Sequence, residues 1–532
     1  MNKKEEVFLY SYLTILLIIG VIIYNDYGIS WDEEISRSNG LFALEYIYSI
    51  LGLDFNYEIP NIFSNSKQTF REYNDNFYGV VFDLPLGFIE YIFKIELTQN
   101  YYFLRHFFNY LIFIIGSYYF FLTLKNFFSF NLSIIGFTML ILTPRIFAES
   151  FYNNKDIVFL SFFCIANYYA VQFFLKENIP NLVKFGIAVG LANGVRVAGL
   201  IIPMLILFFS VIKFEEKNIL QLLKKKIIYC LSILFFIYLF YPYIWENPFH
   251  IIDAVSKFSD FDWKGNVFYL GNYEIAKYMP WHYLPLIIIA TLPTINIILF
   301  FIALIAVLKF SINNFINIKT NDSLLWKDNL QFYLQYNFLI IFAVIFLIIE
   351  KNSTIYGGWR QVYFIYPSMI FLSVYGVYLV SNYFANKNKI FISIIYIFLI
   401  SQVIWIISNH PYQYVYYNYF ARDYIKNNFE NDYWGVSNKD LLINLDRIKK
   451  RNEYKVHIYS ASPYEKSLLL MDANIKGKFK FYENINDADY IVSNHYYQDK
   501  KPYEEYIFLR NRYKILYEIS INKNAINTLY EK

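Results

Sequence analysis

Cysteine is almost missing from this chain. Cys164 and Cys230 are the only two in 532 residues, and both sit inside apolar runs. A disulfide framework and a cysteine-built metal centre therefore lack support, and the redox compartment is left open. Charge is scarce too: Asp, Glu, Lys and Arg make up 17% of the residues and the formal net charge is only +4. The basic residues fall in short loops, which suits lipid headgroups and gives no footprint for nucleic acid. The sequence also has no Walker-type Gly-rich loop, no Gly-x-Gly-x-x-Gly, no His-Glu-x-x-His and no Cys-x-x-Cys. Nucleotide hydrolysis, dinucleotide binding and zinc chemistry are thus without a signature.

Apolar residues fill the space instead, at 57% hydrophobic, a composition far from that of an ordinary soluble domain. The 54 Tyr and 55 Phe accompany many Ile, Asn and Lys, the mark of a biased base composition, so aromatic abundance alone says nothing about ligands. Apolar runs that cross or nearly cross a bilayer occur near 7–24, 103–123, 129–143, 157–175, 183–196, 197–213, 227–245, 284–308, 333–350, 361–381 and 390–408. They predict a mainly α, polytopic membrane protein with about eleven spans. The first run follows Lys3 and Lys4 and has no small-residue cleavage signature, so it reads as an uncleaved span. The two runs over 183–213 are short and abut through Asn193, Gly194 and Arg196, which predicts a tight turn or a broken helix.

With a cytoplasmic N-terminus, alternate loops hold Lys125; Lys176 and Lys184; Lys213, Lys217 and Lys224 to Lys226; Lys309, Lys319 and Lys327; and Lys387 and Lys389. That is the positive-inside pattern. The opposite side then receives a long first loop (25–102), 144–156, the 196 turn, 246–282, 351–360 and everything after 408. In the first loop, Tyr78 to Ile95 is an apolar stretch interrupted by Asp83, Pro85 and Glu90, which predicts helices lying on the membrane surface. The expected division is a transmembrane domain over 1–408 and a small extracytoplasmic α/β domain over 409–532. In the latter, helices are expected over 438–450 and 464–471, and strands over 455–460, 488–493 and 513–519.

Unusual polar residues gather on the non-cytoplasmic side. They include Trp31-Asp32-Glu33-Glu34 after the first span, Arg105-His106, Thr143-Pro144-Arg145 with Asn153-Asn154-Lys155-Asp156, and Gly194-Val195-Arg196. Further along come Trp245-Glu246-Asn247-Pro248, Pro280-Trp281-His282-Tyr283, Gly357-Gly358-Trp359-Arg360, His410-Pro411-Tyr412 and Asp432-Tyr433-Trp434-Gly435. In order and sidedness these pieces resemble the GT-C superfamily of glycosyltransferases that use polyprenyl-phosphate sugars, in particular the protein O-mannosyltransferases and aminoarabinose transferases (glycosyltransferase family 39-like). The chain departs from that pattern at Asn154, where Pro is common, and at Gln361, where His is common.

The resemblance implies transfer of a sugar from a polyprenyl-phosphate donor to a protein, lipid or glycan acceptor at the extracytoplasmic face of the inner membrane. It assigns the general base to Asp32, with Glu33 beside it as a second or orienting carboxylate. Arg145, Lys155, Arg196 and Arg360 are the candidates for the departing phosphate, since guanidinium forks and a lysine point charge suit it. Asp156, His282, Glu246, Arg105 and His106 are candidates for orienting the acceptor or the charges around it. Each has a plainer reading. Acids favour helix starts, basic residues at span ends snorkel to headgroups, Asp156 caps the next helix, and His282 beside Trp and Tyr belongs to an aromatic belt. Asp32, Glu33 and Asp156 offer oxygens to a divalent cation, although no His or Cys spacing demands one. Two rivals stand beside the transferase: a multi-span transporter or flippase of lipid-linked sugars, for which a charge at Arg196 speaks, and a scaffold whose outer domain binds a partner.

Overall fold

The computed structural model describes residues 1–59, 69–73, 75–95, 97–213, 219–316 and 325–532. Lys217 and Lys319 lie outside the described residues. The chain is an integral membrane protein, and each of the eleven apolar runs falls on helix. In hydrocarbon a helix is the way one segment satisfies its own backbone. The first helix, α1 (Lys3–Ile23), opens with a capping box in which the Asn2 side chain accepts from the Glu5 N–H and Glu5 accepts from Asn2, both at 2.9 Å. The first loop then carries α2 (Glu33–Ile50) and α3 (Asp83–Phe93). These two pack together and are locked by an Arg37–Glu90 ion pair, to which the Tyr57 hydroxyl adds a bond of 2.7 Å.

The helical body continues through α4 (Thr98–Lys125), α5 (Phe130–Ile141), α6 (Pro144–Tyr152), α7 (Asp156–Leu175), α8 (Ile179–Asn193), α9 (Ile201–Ile212) and α10 (Ile219–Phe240). After α11 (His250–Ser259) and a small hairpin, β1 (Asn266–Tyr269) with β2 (Asn272–Ile275), come α12 (Tyr283–Thr291), α13 (Thr294–Ile316), α14 (Asn329–Glu350), α15 (Tyr366–Tyr383) and α16 (Asn388–Ser408). The pairs α4–α7, α7–α8, α8–α10 and α13–α15 pack on one another.

Among the described residues seven helices are long and apolar enough to cross a membrane, and eight if α5 and α6 form one span bent by 63°. The reading of about eleven is higher because short or interrupted runs were counted whole. Pro144, with no N–H to give, opens α6 and sets the bend. Pro293 divides the run 284–308 between α12 and α13. The break expected near Arg196 is present: α8 ends at Asn193, Arg196 is extended at φ −144°, and a 3₁₀ turn, Val197–Leu200, leads into α9.

The C-terminal module is built on a five-stranded sheet in the order β4-β3-β5-β7-β6, parallel across β4-β3-β5 and antiparallel across β5-β7-β6. Its strands are β3 (Tyr454–Ile458), β4 (Phe479–Tyr482), β5 (Tyr490–Ser493), β6 (Lys514–Ile521) and β7 (Asn524–Glu531). The strands over β3, β5 and β6 match the sequence reading; β4, β7 and the helix Pro502–Arg512 were not foreseen. In β7 the buried Asn527 and Thr528 break the apolar pattern. Asn527 is held by the hydroxyl of Tyr464 at 2.6 Å and itself donates to Ser437 at 2.8 Å.

Candidate active site

Asp32 sits at the N-cap of α2, and the turn that carries it is fixed from the far end of the chain. The Lys439 ammonium donates to the carbonyls of Asn25 (3.0 Å), Asp26 (2.6 Å) and Tyr27 (3.1 Å). The Trp31 indole N–H donates to the Tyr433 carbonyl at 2.8 Å, and Lys466 reaches both the Trp31 carbonyl (3.3 Å) and Glu34 (2.9 Å). A helix start that would otherwise fray is thereby pinned at four carbonyls and two side chains.

Opposite Asp32 stands Arg360. Gly357 and Gly358 precede it at φ +64° and +79°, a left-handed pair that glycine adopts without a Cβ penalty, and the chain then enters the 3₁₀ turn Arg360–Ile365. The guanidinium donates to Asp32 at 3.0 Å and to Asp156 at 3.1 Å, while Arg196 pairs with the other oxygen of Asp156. Aromatic faces enclose it, with Tyr356 and Trp434 both at 4.8 Å and Tyr433 at 5.4 Å. Arg196 is itself placed by a close approach between segments: Gly79 lies so near the Gly194 carbonyl that a Cβ there would fall 2.1 Å from it, and the Val81 N–H donates to that same carbonyl at 3.0 Å. Burial alone would raise the Asp32 carboxyl, but Arg360, then Lys155, and then Arg196 outweigh it and hold the group below its ordinary value.

These groups form the polar head of one cavity of about 1070 Å³. Asp32, Asp75, Lys155, Arg196 and Arg360 line that end, with Lys155 4.0 Å over the ring of Tyr78. The rest is apolar, lined by Leu200, Ile201 and Met204 on one side and by Val344, Leu347 and Ile348 of α14 on the other. Met204 and Leu347 are exposed, so the groove opens sideways on the apolar surface of the helical body. Arg196 and Arg360 line the cavity, and the Nε of each is buried without a hydrogen-bond partner among the described residues. A buried donor left unpaired is costly, and two such donors stand on the arginines that line the cavity head.

Of the residues singled out from the sequence, Asp32, Lys155, Asp156, Arg196 and Arg360 come together, and the others do not. Glu33 is turned away: it accepts the Ser30 N–H at 2.7 Å and pairs with His106 at 2.9 Å, while the other ring nitrogen of His106 faces the Tyr24 carbonyl at 3.1 Å. The three carboxylates named for a divalent cation are thus not assembled, and among the described residues no group of three His, Cys, Asp or Glu converges. Arg105 binds Asp83 and the Tyr101 hydroxyl, outside the cavity. Arg145 donates to the Tyr416 carbonyl at 2.8 Å and lines a separate hollow of about 20 Å³ behind Gly357 and Gly358. His282 meets the Tyr269 hydroxyl at 2.7 Å, and Glu246 pairs with Arg71 at the surface.

Sequence reasoning missed Asp75, Tyr356 and Lys466, all on the cavity wall, and gave Tyr433 no role of its own. Asp75 carries the clearest chemistry. Burial raises its carboxyl, Lys155 opposes that and Asp32 reinforces it, and it makes no ion pair among the described residues. The acid in the first loop was legible as a residue but had no motif around it to mark it out.

Residues 88–245, less than a third of the chain, match the family model of dolichyl-phosphate-mannose-protein mannosyltransferases. No curated protein matches the chain. Among solved structures the chain is similar to ArnT from Cupriavidus metallidurans bound to undecaprenyl phosphate, at 9% identity over 98% of both chains with a TM-score of 0.42. It is also similar to the Archaeoglobus fulgidus oligosaccharyltransferase tethered to an acceptor peptide, at 11% identity over 91% of this chain and 69% of that one, with a TM-score of 0.44.

Proposed function

We propose that this chain is a membrane glycosyltransferase that moves a sugar from a polyprenyl-phosphate donor to an acceptor on the extracytoplasmic side, with Asp32 as the general base. One observation carries the reading: a carboxylate and a guanidinium, 3.0 Å apart, share the head of a cavity whose remaining length is an apolar groove open to the lipid-facing surface. An isoprenoid chain fits the groove by apolar contact, and its phosphate fits the head, where Arg360 and Arg196 still have N–H groups to give. The match of residues 88–245 to the mannosyltransferase family supports the same class of reaction.

In the step itself the acceptor oxygen bonds to the anomeric carbon, the bond from that carbon to the phosphate oxygen breaks, and the acceptor proton passes to the Asp32 carboxylate. The lipid phosphate leaves with the bonding pair, stabilised by Arg360, Arg196 and Lys155. The ion pair present without donor gives the order of events a physical basis. A phosphate entering the head competes for the Arg360 N–H groups that now go to Asp32 and Asp156. As that guanidinium is drawn away, the Asp32 carboxylate becomes a better proton acceptor. Asp75, on the same wall and in no ion pair among the described residues, is placed to orient the acceptor hydroxyl. Displacement of the phosphate by the acceptor oxygen in one step inverts the anomeric centre. The extracytoplasmic assignment rests on the sidedness of the lysines: the cavity head is made by loops opposite those rich in lysine.

The test is transfer from radiolabelled polyprenyl-phosphate sugars to membrane and protein acceptors by the purified protein in lipid nanodiscs. The wild type should transfer label, and Asp32→Asn should lose roughly a hundredfold or more, the usual scale for a positioned base. Unchanged transfer in Asp32→Asn would remove this carboxylate as the base.

A further inference from the structure

The apolar surface of the helical body does not stop where α16 ends. Past that helix the chain turns back on it: the Gln413 side chain donates to the Ile406 carbonyl at 3.0 Å, and the Tyr416 ring meets Trp405 with centroids 4.7 Å apart. Both partners sit in the last turn of α16. Its 21 residues run away from Lys387 and Lys389, over about 31 Å, the thickness of a hydrocarbon core. Residues 413–418 therefore lie at the depth where this helix leaves the bilayer.

Asn418 then fastens the segment to a second helix end. Pro293 has no N–H for the Ile289 carbonyl four residues before it, and the Asn418 side-chain amide supplies one, reaching the Leu292 carbonyl as well at 3.0 Å. The Asn418 backbone N–H goes to the Ala290 carbonyl at 2.9 Å. Its side-chain oxygen faces the other way and accepts from the N–H groups of Phe420 (3.1 Å) and Ala421 (3.3 Å). The Arg422 N–H donates to the Asn418 carbonyl at 3.0 Å, and the Tyr424 N–H to that of Ala421 at 2.9 Å. Four successive or near-successive backbone donors are thus taken inside the turn. That is the condition for irregular backbone at membrane depth.

The turn exposes aromatic rings at its tip. Residues 413–418 are buried, and the next two, Tyr419 and Phe420, are 67% and 69% exposed. Ile404 and Ile407 of α16 and Leu286 and Ile289 of α12 are exposed as well, so the tip continues two apolar helix surfaces to which its own segment is bonded. Arg422 holds its guanidinium 4.5 Å over the Tyr419 ring, and Asp423 beside it is 80% exposed. Rings at the tip with charge just behind them match a bilayer interface, where tyrosine sits at the headgroup boundary and arginine reaches the phosphates.

We infer that the turn 418–424 is inserted into the lipid interface at this end of the helical body, with Tyr419 and Phe420 in the lipid and Arg422 among the headgroups. The C-terminal module is then held on the membrane at a point beyond its covalent link to α16. This anchoring is independent of the transfer chemistry proposed above.

The experiment is power-saturation EPR of the full-length protein in nanodiscs of zwitterionic lipid, in a Cys230→Ala background whose remaining Cys164 is buried. A nitroxide is placed at Phe420→Cys, at Asp423→Cys, at Ile404→Cys as the lipid reference or at Glu483→Cys as the water reference, all exposed positions. Oxygen concentrates in the bilayer and a nickel chelate stays in water. The label at 420 should relax mainly through oxygen, as at 404, whereas 423 should shift toward the nickel chelate and 483 should relax mainly through it. A nitroxide is itself apolar, so the label at 423, on the same turn, guards against a probe that draws itself into lipid. The inference falls if 420 behaves like 483, or if 423 relaxes through oxygen as fully as 420. It falls equally if 420 is shielded from both reagents, which would place a second copy or another protein over the turn.

Discussion

Two buried arginines, both paired to aspartate, divide this molecule into what is sealed and what is open. Arg105 is 1% exposed, bonded to Asp83 and to the Tyr101 hydroxyl at 2.8 Å, with Phe82 and Tyr101 rings around it. Arg360 is 3% exposed, bonded to Asp32 and Asp156, also among aromatic rings. By burial, pairing and neighbours the two are nearly alike. They differ in what lies beyond: Arg360 borders a cavity of about 1070 Å³, and Arg105 does not line it. A buried ion pair is by itself weak evidence for anything but local structure. Open volume beside the paired guanidinium is what marks a site.

Conservative substitutions of the two aspartates should separate these cases most sharply. Asp32→Asn should keep the fold and lose transfer by about 10²–10⁴-fold, the range for removing a positioned base. Asp83→Asn should do the reverse, since it strands a buried guanidinium at a cost of about 3–5 kcal/mol; thermal unfolding in detergent measures this. The acid side of the wild-type kcat/KM profile, which reports the donor-free protein, provides a further check. Arg360 and Lys155 outweigh burial at Asp32, so the base stays ionised to below the ordinary range of about pH 4, and kcat/KM should hold until the pH falls that low.

Lys439 brings the C-terminal module into the same comparison. Its ammonium donates to three carbonyls leading into the Asp32 turn, so Lys439→Met should let that turn drift. Misplacement of a base by about 1 Å costs on the order of a hundredfold. We expect kcat to fall by about ten- to a hundredfold with little change in KM for the lipid donor, because the apolar groove is untouched. A fall in donor affinity instead would make Lys439 part of the binding surface.

How much of this was legible beforehand follows the same division. The apolar runs named the long helices of the body, because a helix lets one segment satisfy its own backbone in a membrane, whereas α6 fell in what read as a loop. Asp32, Lys155, Asp156, Arg196 and Arg360 were legible because each is charged next to an apolar run on one side of the membrane. Glu33 and Arg105 carried the same signal, and only their partners, His106 and Asp83, show that they are spoken for. Asp75 and Lys466 sit among ordinary polar residues, so no local pattern could pick them out. Nor could the sequence show that Arg145 faces a different hollow: that depends on how the Gly357–Gly358 turn passes in front of it.

That smaller hollow holds a third charged group whose behaviour should differ from both arginines. Burial pushes the Glu430 carboxyl up to about 8, against a weak pull from the Phe268 N–H at 3.4 Å. The unfolded chain loses this proton near its ordinary value of about 4.5, so between there and about pH 8 the folded state holds more protons than the unfolded one. Stability therefore falls as pH rises through that window and levels off above it. Glu430→Gln should remove this slope and raise the melting temperature at pH 8 by roughly 1–3 °C. A variant whose melting curve still falls with pH as the wild type does would show that other groups set the slope.

The smallest effect is expected at Glu246, and it tests the comparison from the opposite end. Sequence position alone made Glu246 as strong a candidate as His282. Its carboxylate instead meets Arg71 with both side chains largely in solvent, 43% and 64% exposed. Water screens such a pair, and holding two long side chains in one geometry costs entropy, so its net worth is about 0–1 kcal/mol. Glu246→Gln should therefore leave transfer unchanged and shift stability by no more than about 0.5 kcal/mol. A severalfold loss of transfer in this variant would mean that an exposed carboxylate outside the cavity takes part in the reaction, and cavity access would then no longer separate working charges from structural ones.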